Sequence, residues 1–149
     1  MKVPARQFLA WALVLALAAL VSGCTTFHRE WQAAAAKPAS DSLEGRWEGR
    51  WLSAANGHTG SLRCLLTREN DARYHARFHA TYRKIFRAGY HVEFTGEMRA
   101  GAWQFTGDEN LGWFAGGVYQ YEGRVTPTNF FSTYRCKYDH GTFELRRPK

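Results

Sequence analysis

From residue 45 onward, hydrophobic and polar positions alternate with a period of two almost to the end of the chain. Between Arg73 and Arg83, Tyr74, Ala76, Phe78, Ala80 and Tyr82 point one way while Arg73, His75, Arg77, His79 and Thr81 point the other. That is a half-buried antiparallel strand. Tyr90, Val92, Phe94, Gly96 and Met98 repeat the pattern against His91, Glu93, Thr95 and Glu97. The two segments predict a hairpin. Like faces must share parity and opposite charges should meet, so a register that sets Arg77 against Glu93, Arg73 against Glu97, His79 against His91, Phe78 against Val92 and Ala76 against Phe94 is expected. Its turn would fall at Lys84, Ile85 and Phe86, with Gly89 available for a bulge.

Further strands are predicted near 45–53, 59–68, 101–107, 116–125, 129–138 and 142–147, making eight with the hairpin. Asn56-Gly57, Asn70-Asp71, Ala100-Gly101, the run from Asp108 to Gly112, Thr126-Pro127 and Asp139-His140-Gly141 separate them. No stretch after residue 45 has helical periodicity. Eight short antiparallel strands predict an all-β domain over 45–149, either a small closed barrel or a flattened two-sheet sandwich, because closure removes exposed strand edges.

The start of the chain is patterned differently. Lys2 and Arg6 precede an uninterrupted apolar run from Phe8 to Val21. This is the layout of an export signal, and the run is short for a spanning helix, which needs roughly 20 apolar residues. It ends in Val21-Ser22-Gly23-Cys24. That tetrad resembles the lipobox of bacterial lipoproteins, an apolar residue and two small ones before an obligatory cysteine. The resemblance implies cleavage after residue 23, lipidation of Cys24 and a mature N-terminus held to a membrane. Several acyl chains anchor stably where one does not, since each buried methylene contributes about 0.8 kcal/mol. Thr25 and Thr26 follow the cysteine, with no Asp of the kind that retains such proteins in the inner membrane. The resemblance therefore implies the outer membrane, on its periplasmic face. Residues 24–44 then read as the lipidated cysteine and a flexible tether, helical only in part between His28 and Lys37. Treated as a coil, this segment would hold the domain on the order of 25 Å from the bilayer.

Gly45 and Trp47 at the head of the first strand resemble the G-x-W that opens the calycin barrels, the lipocalins and avidins. The likeness implies barrel topology, with Arg146 or Arg147 as the arginine that packs over the tryptophan. No T-D-Y counterpart and no avidin ligand motif can be placed, so the likeness leaves any ligand open.

Charge and candidate chemistry add limits. With 20 Lys and Arg against 13 Asp and Glu the chain carries +7, which falls to +5 when Lys2 and Arg6 leave with the signal. Export and scattered arginines argue against nucleic acid as a partner. Cys64 and Cys136 remain, an even pair in an oxidising compartment, and a disulfide between them is the default expectation. Two buried thiols are the alternative, and an eight-strand meander would place the two strands on either side of the first and last. His75 and His79 lie four apart on a strand, about 13 Å, too far to share an ion. Only His79 and His91 could converge across the hairpin, and no Cys or Asp completes a shell, so no metal or other cofactor is expected. Asp139-His140 reads as turn chemistry, Glu93 and Glu97 as ion-pair partners, and Gly116-Gly117 as a bulge or bend. No G-x-S-x-G elbow, phosphate loop or zinc signature occurs, and no catalytic residue is assigned.

What remains is the set of rings on the inward parity: Trp47, Trp51, Tyr74, Phe78, Tyr82, Tyr90, Phe94, Trp103, Phe105, Tyr119 and Tyr121. They either fill the domain or line a pocket. The expected function is accordingly that of a noncatalytic, lipid-anchored envelope protein that contacts protein, lipid or polysaccharide. The alternative is a calycin-like binder of a small apolar ligand. A filled interior favours the first and an open cavity the second.

Overall fold

The computed structural model describes residues 26–37 and 43–149; the expected export signal, the lipobox-like tetrad and Cys24 lie outside the described residues. Eight strands, β1 (Gly45–Ser53), β2 (Thr59–Arg68), β3 (Arg73–Tyr82), β4 (Phe86–Arg99), β5 (Ala102–Asn110), β6 (Val118–Val125), β7 (Asn129–Arg135) and β8 (His140–Arg146), follow one another around a closed antiparallel barrel. β8 pairs back to β1, with Trp51 opposite Phe143 and Gly49 opposite Leu145. Closure decides between the barrel and the sandwich.

The inward positions are those that the period of two selects. Trp47, Tyr74, Phe78, Phe94, Trp103, Phe105 and Tyr121 are buried, and Trp51, Tyr90 and Tyr119 pack partly buried against them. Tyr82 is half-buried at the end of β3, its ring 5.9 Å from Trp51. Leu62, Cys64, Leu66, Val92, Val125, Phe130, Tyr134, Phe143 and Leu145 complete the core. Glycines make room for the largest rings: a Cβ on Gly107 would stand 2.7 Å from the Phe94 ring, and one on Gly123 2.7 Å from Phe105. Alternating large and small inward residues lets eight strands close on a solid interior.

The β3–β4 register differs from the expected one by two residues. Phe78 pairs with Tyr90 rather than Val92, Ala76 with Val92, Arg77 with His91, His79 with Gly89 and Arg73 with Thr95. The loop is the cause. Arg83 and Lys84 both adopt left-handed conformations (φ 50° and 61°), which closes the turn on Arg83-Lys84-Ile85 and starts β4 at Phe86. Gly89 holds an ordinary ladder position, without a bulge. A shift of two preserves parity, so every side chain keeps its predicted face. Arg73 still reaches Glu93, diagonally, at 3.5 Å.

Residues 26–35 form a helix, α1. Phe27, Trp31 and Ala34, spaced to share one helical face, meet the outward Leu65 of β2. The Phe27 ring stacks on the His79 imidazole at 5.1 Å, the Arg77 guanidinium lies 5.6 Å from the Phe27 ring, and those of Arg63 and Arg46 lie 5.1 and 5.4 Å from Trp31. Arg77 also pairs with Glu30. Over these residues the tether, expected to be helical only in part, is a docked helix, and Arg77 and His79, expected to face solvent, lie against it. Aromatic faces over a row of cations supply the attraction, and Leu65 supplies an apolar seat.

Candidate functional site

A ligand cavity in a calycin-like barrel would lie on its axis, where the predicted rings converge. There the rings meet each other. Phe130 of β7 touches rings of four other strands: Trp47 of β1 at 6.0 Å, Phe78 of β3 at 6.3 Å, Phe94 of β4 at 6.3 Å and Phe105 of β5 at 5.5 Å. β3 and β7 stand on opposite sides of an eight-strand barrel, so the contact between Phe78 and Phe130 crosses its full width. Phe143 adds contacts to Phe78 at 5.4 Å and Tyr121 at 6.0 Å. Side chains fill the middle of the barrel.

One end is plugged as well. The Trp47 indole donates to the Leu43 carbonyl at 3.0 Å, and Arg147, just beyond β8, stacks 4.0 Å above the same ring while donating to the carbonyls of Glu44 (2.6 Å) and Pro127 (3.2 Å). Of the two arginines considered for this place, Arg147 takes it; Arg146 is exposed. Tyr74 and Trp103 close the same end with ring centroids 4.6 Å apart.

The other end carries the tyrosine hydroxyls. Tyr119 donates to the Ala115 carbonyl at 2.7 Å, and Tyr134 to the Asp139 carboxylate at 3.1 Å, which also accepts from Ser53 at 2.5 Å. Burial raises the pKa of Tyr90, Tyr119, Tyr121 and Tyr134, with neighbouring tyrosines or Asp139 adding to the effect, so all four hydroxyls stay protonated. Tyr90 and Tyr121 are close enough to perturb one another, yet the Tyr121 hydroxyl meets no partner at hydrogen-bond geometry, and neither does the Trp103 indole N–H. Asp139, adjacent to His140, therefore does structural work in the loop before β8, as its position in a turn predicts.

The expected disulfide is not formed: Cys64 and Cys136 are both free. Cys64 faces inward on β2 beside Trp47 and Phe78, and burial pushes its thiol well above the ordinary range. Cys136 follows β7 near Gly116 and Tyr119. β1 and β8 separate β2 from β7 in the meander, which is why an even count does not bring the two together.

A groove of about 870 Å³ lies on the outer wall across β4–β8. Register sets two rows of side chains across it, Glu93, Asp108, Gln120, Arg135 and His140 in one, Thr95, Thr106, Glu122, Thr133 and Thr142 in the other. It is a polar, hydroxyl-rich surface suited to hydrogen-bonding a polar partner. At its margin the ligand atoms of Glu69, His75 and Glu93 lie within 4.8 Å of one another; all three are exposed, His75 is 3.3 Å from Glu69, and Arg73 already neutralises Glu93. They read as an ion-pair cluster.

The outward positions elsewhere bear Arg46, Arg50, Arg63, Arg73 and Arg77. This is the inverse of a membrane-spanning barrel, which needs an apolar outer band about 25 Å tall. Among the described residues no helix is long and apolar enough to cross a membrane. No protein-family model, no curated protein and no solved structure matches the chain.

The sequence missed Phe130, Tyr134, Phe143 and Leu145 as core residues, although Phe130-Ser132-Tyr134 and Gly141-Phe143-Leu145 carry the same alternation that identified the other rings. It also missed the docking face of α1, whose signal was the spacing of Phe27, Trp31 and Ala34.

Proposed function

We propose that the chain is a lipid-anchored protein of the outer membrane, facing the periplasm, whose noncatalytic barrel works through its outer surfaces on protein, lipid or polysaccharide. The observation that carries this reading is the contact of Phe130 with rings from four other strands. A barrel filled across its width has no room for a ligand at its centre, while its outer wall offers a groove of hydroxyl and charged groups. The anchor rests on the lipobox and on Cys24 as the acylated residue. Metabolic labelling with a palmitate analogue, followed by membrane fractionation, tests it: the wild type is expected to be labelled and to sediment with outer membrane, and Cys24→Ser to lose the label. Equal labelling of the two proteins would remove the anchor.

The binder of a small apolar ligand stands second, favoured by the unpaired hydroxyl of buried Tyr121 and by the calycin-like stack of Arg147 on Trp47. Any such ligand has to part Phe78, Phe130 and Phe143. Saturable, stoichiometric binding of an environment-sensitive apolar dye, abolished by Tyr121→Phe, would reverse the order of the two readings.

A further inference from the structure

In an eight-strand meander the connections β1–β2, β3–β4, β5–β6 and β7–β8 all emerge at one end. Here they form a rim at which exposed apolar side chains gather. Ile85 and Phe86 are 77% and 64% exposed at the β3–β4 tip, Trp113 and Phe114 76% and 87% exposed in the β5–β6 connection, and Tyr138 is exposed between β7 and β8. Five exposed apolar side chains gathered at one end mark a surface for interaction.

The rim is also built to hold them out. In the β5–β6 connection, Gly112, Gly116 and Gly117 take positive φ, the Ala115 and Gly117 N–H groups both donate to the Gly112 carbonyl, and Leu111 N–H donates to Gly117. The resulting 3-10 turn over Trp113–Ala115 presents the Trp113 and Phe114 rings stacked together at the surface. At the next tip the chain places Arg83 and Lys84 in left-handed conformations, where Asn or Gly is at ease, so two cations are kept there against a conformational cost. Lys137 supplies a third cation. The Arg83 guanidinium lies 5.3 Å from the Tyr82 ring and the Lys137 ammonium 5.1 Å from the Tyr138 ring. Asp139 is the one acid in the four connections, and it turns inward onto Ser53 and Tyr134.

We propose that this rim docks onto a bilayer containing anionic phospholipid, the apolar side chains of Ile85-Phe86, Trp113-Phe114 and Tyr138 entering the headgroup region while Arg83, Lys84 and Lys137 meet lipid phosphates. Interleaved cations and apolar side chains match that surface and no single soluble ligand, and each Lys or Arg near it improves partitioning roughly fivefold. The placement of the N-terminus agrees. Phe27 is held on His79, three residues (about 10 Å) short of the rim end of β3, and the three residues back to Cys24 span at most about 10 Å. A lipid on Cys24 therefore keeps the rim within reach of the bilayer. This last support rests on the anchored reading proposed above; the rim itself does not.

Hydrogen exchange of the purified full chain tests the proposal, with vesicles of phosphatidylcholine alone, with vesicles containing phosphatidylglycerol, and without vesicles. Amides at 83–87, 111–117 and 137–138 are expected to slow about tenfold with phosphatidylglycerol, and those of the opposite turns at 69–72 and 100–101 to stay unchanged. Ile85→Asp, Phe86→Asp, Trp113→Asp and Phe114→Asp combined should abolish the slowing; these sites are exposed, and an unaltered melt verifies the fold. If the combined variant unfolds, Lys84→Glu with Lys137→Glu must instead leave less than about twofold slowing. Rim amides that exchange alike in all three conditions overturn the proposal, as does slowing without vesicles that grows with protein concentration, which would make the rim a contact between copies. The mass of the N-terminal peptide reports acylation separately, so a chain without acyl groups whose rim still slows refutes only the anchor.

Discussion

The two ends of the barrel are made of similar residue types and are used in opposite ways. At one end Trp47, Tyr74, Trp103 and Leu43 are buried, Arg147 stacks on Trp47, and the turns are short and carry no aromatic or large aliphatic side chain: Glu69 to Ala72, Ala100-Gly101 and Thr126 to Thr128. At the other end Trp113, Phe114, Ile85 and Phe86 stand in solvent beside Arg83, Lys84 and Lys137. In each place an aromatic ring lies near a cation, but only at the plugged end does the pair also satisfy backbone carbonyls and close a core. The difference teaches that composition does not separate structural aromatics from interacting ones. Parity and connection do: rings on the inward parity of strands hold the fold, whereas rings in the rim connections and the first residue of β4 do not.

The largest expected effect is at the barrel axis. Phe130→Ala removes the ring that joins four other strands and should cost about 3–5 kcal/mol in denaturant melts. A loss below ~1 kcal/mol would mean that the interior tolerates a void there and that the ligand reading had been demoted wrongly. Next comes the docked helix. Trp31→Ala should release α1 from Arg46, Arg63 and Leu65 and forfeit about 1.5–3 kcal/mol of local burial. Because the helix lies outside the closed sheet, proteolysis near residues 26–37 should accelerate while the unfolding midpoint of the barrel stays put; a midpoint that falls with it would make α1 part of the core.

The smallest effect sharpens the same contact. Desolvation by burial, with Arg87 and Arg63 adding to it, lowers the His79 pKa below its ordinary 6.5. A base whose folded value is depressed favours the undocked state once protons are available. Docking of Phe27 on neutral His79 is therefore complete above pH 6.5 and weakens as the pH falls through the lowered value. Exchange of α1 amides should quicken modestly on acidification and lose that dependence in His79→Gln. Identical pH profiles for the two proteins would show that the imidazole does not report on the contact.

The strands were legible because one face of each is buried. A slip of one residue would drive Arg73, Arg77 and Glu93 inward, so parity was strongly determined. The register was not, because Arg77 opposite Glu93 and Arg73 diagonal to Glu93 both satisfy charge, and exposed pairs are worth only ~0.2–1 kcal/mol. Turn geometry chose between them, through left-handed Arg83 and Lys84, conformations that no propensity would assign to those residues. α1 escaped because its apolar stripe is three residues long and its seat on the barrel is made of arginines, His79 and one leucine, visible only once the strands are assembled. The rim escaped for a related reason: Ile85, Trp113 and Tyr138 are far apart in the chain, and only the meander brings their connections to one end.

The direct measurement of the division between the ends is a pair of denaturant melts on the full chain, Trp113→Ala combined with Phe114→Ala against Phe130→Ala alone. The rim pair is predicted to change stability by less than about 0.5 kcal/mol and Phe130→Ala by at least ~3 kcal/mol. A rim variant that loses as much as Phe130→Ala would contradict the account, because its rings would then belong to the fold and would not be free to meet a partner.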